Sequence, residues 1–166
     1  MTIEERLQRL EDDRAIRDLK ARYLRACDSQ QPDIVRDCLL PDAQIRFEGF
    51  PDFDNRDDFV AIYAQLGCVP GVFDIHHAAN GIITFASADH ATGQWALTFH
   101  TINLAHRTLI QFGIEYDDRY VRRDGRWWIA ETASRRKSAL VQTVDADGTV
   151  RVAAMGEAPE GGFGEG

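Results

Sequence analysis

The order of elements along the chain predicts an α+β fold. Up to about Leu66 the apolar residues recur mostly at helical spacing, and from Asp74 onward apolar and polar residues alternate. Helices first and an antiparallel meander afterwards is the α+β order. Long, strongly twisted strands curl, and helices packed on the concave side enclose a pocket. At 166 residues, with 44% hydrophobic and 10% aromatic content, one domain with a real core is expected. That domain spans residues 1–154. A Gly- and Glu-rich tail, residues 155–166, is expected to be mobile.

The first helix runs from about Ile3 to Asp28, with Thr2 and Glu5 as a capping box and a possible break near Asp12–Arg14. Within it, Ile16, Leu19, Tyr23 and Cys27 form one apolar face. Tyr23 therefore carries a hydroxyl into the core, where it needs a partner. Asp28 sits at the helix end, where the dipole disfavours a carboxylate. A phenol and an acid at the inner end of a core helix are poor choices for packing alone. Gln30–Gln31 is a turn, Asp33–Leu40 a short second helix begun by Pro32 and ended by Pro41, and Ala43–Glu48 a strand. Asn55 caps a third helix, Arg56–Leu66, and Gly67 stops it. Four long strands follow: Ile75–Phe85, Thr92–Asn103, Arg107–Arg122 and Arg126–Lys137. Arg123-Asp-Gly125 makes the hairpin turn between the last two. Leu140–Val144 and Thr149–Ala153 form two further short strands.

Composition excludes several functions. A net charge of −8 disfavours nucleic acid or an anionic membrane as partner. The charged opening MTIEERLQRLEDD is no signal peptide, and no apolar run has the length of a membrane span. Cys27, Cys38 and Cys68 read as reduced thiols of a cytoplasmic protein. No zinc-ligand pattern, phosphate loop or nucleophile elbow occurs, so neither a metal nor a cofactor is expected.

Adjacent strand residues point to opposite faces, so one of His76 and His77 at most faces the pocket. Asn80, four residues on, shares the face of His76 in a regular strand. A pocket-facing His76 beside Asp28 would be a base whose tautomer a carboxylate fixes, against the alternative of a half-buried histidine bonded to its neighbours. Gln94, Thr98 and His100 lie opposite Trp95, Leu97 and Phe99, so His100 is expected outside. Asp117, Asp118, Arg122, Arg123 and Asp124 read as solvated surface charges, with Arg119 a possible inward one.

These stretches together resemble the SnoaL-like group of the nuclear transport factor two-like superfamily over roughly Ile3–Lys137. The carriers are AIRDLKARYLRACD, LLPDAQIRFEG, IHHAANGIITF, ATGQWALTF and YDDRYVRRDGRWWIAET. The resemblance implies a cone-shaped, strongly curved antiparallel sheet over the N-terminal helices. Bile-acid 7-alpha-dehydratase is similar in TxEER, in a tyrosine five residues before an aspartate, in TGxW and in DGxWxIxET. This implies catalytic roles for Tyr23 and Asp28. Hexachlorocyclohexane dehydrochlorinase and scytalone dehydratase use a comparable His–Asp pair, and the former's H-x-x-x-N falls on His76 and Asn80, which selects His76. The bile-acid family also carries an acid on the strand after TGxW, where this chain has Phe99. His100 or Tyr23 is then left to help the leaving group. Phe47, Phe59, Tyr63, Trp95, Leu97, Phe99 and Phe112, with Asn80, would hold a small hydrophobic substrate such as a steroid or polyketide intermediate. The activity implied is a cofactor-independent dehydratase-type lyase. The alternatives are an isomerase or cyclase, or a binding and assembly module such as a dioxygenase small subunit. A homodimer or homotrimer is implied by the same analogy.

Overall fold

The computed structural model describes residues 1–157. Helix α1, Ile3–Asp28, opens on a complete capping box: Thr2 Oγ1 accepts from the Glu5 N–H at 3.2 Å, and the Thr2 N–H donates to Glu5 Oε2 at 2.7 Å. It is unbroken at Asp12–Arg14, because Arg17 grips Asp13 at 2.6 Å and Arg14 grips Asp18 at 2.8 Å across that turn. Ile3, Leu7 and Leu10 are exposed, and burial starts at Asp12. Asp12 accepts the Trp127 indole N–H at 2.8 Å and faces Arg122, which ties the helix to the last hairpin.

Helix α2, Pro32–Cys38, ends two residues sooner than expected, because Leu39 and Leu40 belong to strand β1, Leu39–Phe47. Both leucines are buried. The pairing of β1 breaks register between Leu39 and Gln44, the stretch that holds Pro41, whose missing N–H suits such a break. Helix α3 is Arg56–Leu66, capped by Asn55, whose side chain accepts from the Asp58 N–H at 2.9 Å.

The meander is β2 (Val72–Phe85), β3 (His90–Asn103), β4 (Thr108–Arg123) and β5 (Arg126–Val144), with β6 (Val150–Gly156) after it. Between β4 and β5, Asp124 and Gly125 have φ of 53° and 72°, the positive pair of a tight hairpin turn. The open sheet runs β1-β5-β4-β3-β2, with β6 also on β5. It is mixed, not wholly antiparallel: β1 lies parallel to β5. Strand β5 is a single 19-residue strand where two pieces were expected. Its first half pairs with β1 and its second half with β6, so it has partners along its length. Met155 and Gly156, the first expected tail residues present in the structure, finish β6, and 158–166 lie outside the described residues. Register shifts put extra residues into β2, at Asn80–Gly81, and into β5, at Ala130 and Lys137; these bulges sharpen the twist of a cone.

The concave face carries alternate residues of every strand. Trp95, Leu97, Tyr116, Tyr120, Trp127 and Ile129 are buried there against Ile16, Leu19, Tyr23 and Cys27 of α1.

Candidate active site

Asp28 is the last residue of α1, and three contacts hold that end in place. The Tyr63 hydroxyl of α3 donates to the Cys27 carbonyl at 2.8 Å, satisfying one of the helix's terminal acceptors. Gln30, in the following turn, donates its side-chain amide to the Val72 carbonyl at the start of β2 at 3.1 Å. Asp28 itself reaches β2: the backbone N–H of His76 donates to its two oxygens at 3.1 and 3.2 Å. These contacts offset the poor placing of an anion at a helix C-terminus.

The His76 ring adds a fourth bond, with Nδ1 2.6 Å from Asp28 Oδ1. With the carboxylate ionised, the neutral imidazole carries its proton on Nδ1 and keeps its lone pair on Nε2. The side chains are 16% and 24% exposed, half-buried but reachable. Phe99, the register partner of His76 on β3, lies against its ring at a centroid distance of 4.6 Å. Phe112, the next partner on β4, stacks on Phe99 at 6.1 Å. The guanidinium of Arg136 stands 5.0 Å above Phe112. His76, Phe99 and Phe112 thus form one rung across three strands, and Leu97 is buried on the same face one step along. Arg136 gave no signal in the sequence, since a single arginine in a run of basic residues reads as surface.

The other predicted residues are placed elsewhere. Tyr23 is 2% exposed and sits among Cys27, Cys38, Tyr116 and Lys20. Burial pushes its hydroxyl well above the ordinary value, and among the described residues no hydrogen bond joins it to His76 or Asp28. Phe47 and Phe59 form an edge-to-face pair under α3, continued by Tyr63 and by Tyr116. Trp95 lies toward the far end of the concave face, donating its N–H to the Tyr120 hydroxyl at 3.1 Å. Asn80 has φ of 52° at the β2 bulge and is exposed. The bulge breaks the strict alternation on which its expected alignment with His76 rested. His77 is exposed on the outer face, and His100 keeps to that face as expected.

The inward charges are Asp118 and Lys20, not Arg119. Lys20 Nζ lies 2.8 Å from Asp118 Oδ2, with both side chains almost fully buried, and the Tyr120 hydroxyl donates to the same oxygen at 2.7 Å. The ammonium stands 4.0 Å over the Tyr116 ring. Arg119 is exposed and pairs with Glu131 at 3.2 Å. A depression of about 650 Å³ is lined by Phe47, the Glu48–Asp52 loop and Ser134–Lys137 of β5, and includes neither Asp28 nor His76. Among the described residues no group of three or more His, Cys, Asp or Glu is placed to hold a metal, and no helix is long and apolar enough to cross a membrane.

A cone of sheet around a core helix, with a histidine gripped by the helix's last carboxylate, defines an α+β cone protein. Residues 8–133 match the SnoaL-like domain family, and the chain belongs to that family, within the nuclear transport factor two-like superfamily. Among solved structures, a candidate scytalone dehydratase from Novosphingobium aromaticivorans DSM 12444 superposes with a TM-score of 0.74 at 19% identity, covering 96% of this chain and 97% of that one. A type 3 hexachlorocyclohexane dehydrochlorinase from Novosphingobium barchaimii LL02 gives 0.72 at 22% identity, with coverage of 92% and 98%. A nuclear transport factor two-like protein with a cystatin-like fold from Novosphingobium aromaticivorans gives 0.67 at 20%, with coverage of 80% and 86%. At these identities the likeness is one of fold.

Proposed function

We propose that this chain is a cofactor-independent lyase that eliminates water from a small hydrophobic hydroxylated carbonyl compound. The observation that carries the reading is the 2.6 Å bond between His76 Nδ1 and Asp28 Oδ1 on the concave face. Asp28 holds the ring in the tautomer that leaves Nε2 basic, and it stabilises the imidazolium that forms when Nε2 takes a proton. The structures of the candidate scytalone dehydratase and the dehydrochlorinase, which share the fold, lend support.

Phe99, Phe112 and Leu97 supply an apolar floor beside the base. A hydrophobic substrate lying there excludes water, which strengthens each polar contact to the reacting atoms. Arg136, whose guanidinium stands over the Phe112 ring, presents a positive charge to that floor, and it favours a substrate whose carbonyl gains negative charge as the proton leaves. No step is routed through Tyr23, whose hydroxyl is enclosed in the core. Isomerisation and ring closure begin with the same proton abstraction, and substrate decides among them.

The test is turnover of 4-hydroxy-4-phenylbutan-2-one to benzalacetone, followed by ultraviolet absorbance, in wild type and His76→Ala. General base assistance contributes about 10²–10⁴-fold, so the variant should lose activity by that factor. Equal rates for the two proteins would refute the reading in favour of a binding module.

A further inference from the structure

A second carboxyl group stands beside the dyad. Asp74 lies two residues before His76 on β2, so both side chains rise from the concave face, about 7 Å apart along the strand. Thr101, its register partner on β3, gives the carboxylate a side-chain hydrogen bond. From α1 and α3 the groups facing it are Asp28 and Tyr63, with Cys68 next to Tyr63 just past α3. Asp74 is half-buried. Its titratable neighbours on that side are His76 and Asp28, and no arginine or lysine is ion-paired with it among the described residues. A carboxylate meant only to stabilise the fold would be solvated or paired with a cation. This one is placed next to a base and kept from full hydration.

We propose that Asp74 is the general acid of the elimination, a role that rests on the His76 reading above. His76 Nε2 takes the proton from the carbon next to the carbonyl. The electron pair of that C–H bond becomes the new carbon–carbon π bond, and the C–O bond breaks with its pair on oxygen. The oxygen takes the proton of Asp74 and leaves as water. The imidazolium then returns a proton to the Asp74 carboxylate through solvent, so substrate becomes alkene plus water with no co-reactant. Two groups about one strand pitch apart on a single face can reach a hydrogen and a hydroxyl on adjacent carbons.

Electrostatics favour the assignment. Burial raises the Asp74 carboxyl above its ordinary value, and the Asp28 carboxylate adds to this, against the opposing influence of Thr101 and His76. A hydrophobic substrate over the site removes more water and moves it further the same way. An acid raised in the folded state favours folding below its unfolded value, and that contribution is lost as pH rises through the raised one. Asp74→Asn should therefore unfold at higher urea concentration than wild type at neutral pH, although it is the poorer enzyme.

The experiment compares two leaving groups on one carbon skeleton, 4-hydroxy- and 4-acetoxy-4-phenylbutan-2-one, both giving benzalacetone. Acetate departs without a proton, whereas hydroxide needs one. Asp74→Asn should lower the ratio of hydroxyl to acetoxy elimination at least about a hundredfold, the small end of general acid assistance. The fall in wild-type kcat on the alkaline side of the carboxyl titration should be missing from the variant. His76→Ala should depress both substrates together. An unchanged ratio in Asp74→Asn, or a wild type that expels acetate but not water, would overturn the acid while leaving the base in place. A wild type that processes neither ketone would overturn the elimination reading and the acid with it.

Discussion

Replacing Lys20 with methionine leaves Asp118 as a stranded buried charge, and the cost can be worked from the site. The two side chains are 1% and 0% exposed, and 2.8 Å separates Nζ from Oδ2. In the variant the carboxylate keeps only the Tyr120 hydroxyl bond at 2.7 Å. Removing one member of a buried ion pair costs about 3–5 kcal/mol, because the partner's desolvation is no longer offset. For a chain of this size, each kcal/mol moves the midpoint by about 2–4 °C, so Tm should fall by roughly 6–20 °C. Protonating the stranded carboxyl relieves the penalty, so the deficit should shrink as pH falls. Lys20→Met with Asp118→Leu removes both charges and should be less destabilised than Lys20→Met alone, at the cost of an unaccepted Tyr120 hydroxyl. Urea titrations followed by circular dichroism measure all three proteins. A single variant within about 1 kcal/mol of wild type, or a double variant worse than the single by the full amount again, would refute the claim that the pair is mutually compensating.

Four further outcomes are expected. Tyr63→Phe removes the bond to the Cys27 carbonyl and should cost about 1 kcal/mol of stability in urea, together with some activity, since that bond fixes the helix end that carries Asp28. Gly81→Ala would place a methyl 2.3 Å from the Trp95 ring and should cost about 1–3 kcal/mol by overpacking, read as a lower Tm. Iodoacetamide followed by mass spectrometry should label Cys68 first in the folded protein, because Cys27 and Cys38 are buried and burial pushes the Cys38 thiol up to about 11. Phe73, Ile75 and Ile82 are exposed on the outer face of β2, at 56%, 42% and 61%. Self-association through that face is expected, and a monomer in sedimentation at micromolar concentration would contradict it.

The fold was legible where local pattern decides it. The capping box at Thr2, the period-two runs of β2 to β5 and the Asp124-Gly125 turn are short-range signals. The parallel seat of β1 and the unbroken length of β5 depend on a partner strand far away in sequence, and no local pattern records that. At the site, the alternation of β2 and the family resemblance pointed to His76, and a carboxylate at an unfavourable helix end pointed to Asp28. Asn80 does not align with His76 because it sits in the bulge itself, where the alternation breaks, and no local pattern marks a bulge. Lys20 and Asp118 were hidden because charged residues in amphipathic segments usually face water. Only the closing of β4 over α1 turns both inward. Asp74 carries no stronger signal, being a single acid at the start of a strand.

The central claim is that His76, oriented by Asp28, is a base able to take a proton from carbon. Exchange of the α-protons of 4-phenylbutan-2-one in deuterated buffer, followed by proton NMR, tests this without any leaving group. Wild type should catalyse exchange, and His76→Ala should lose it by about 10²–10⁴-fold. Asp28→Asn should fall by up to about 10⁴-fold, because an amide presented to Nδ1 favours the tautomer that has its proton on Nε2. Exchange that persists undiminished in both variants would contradict the account.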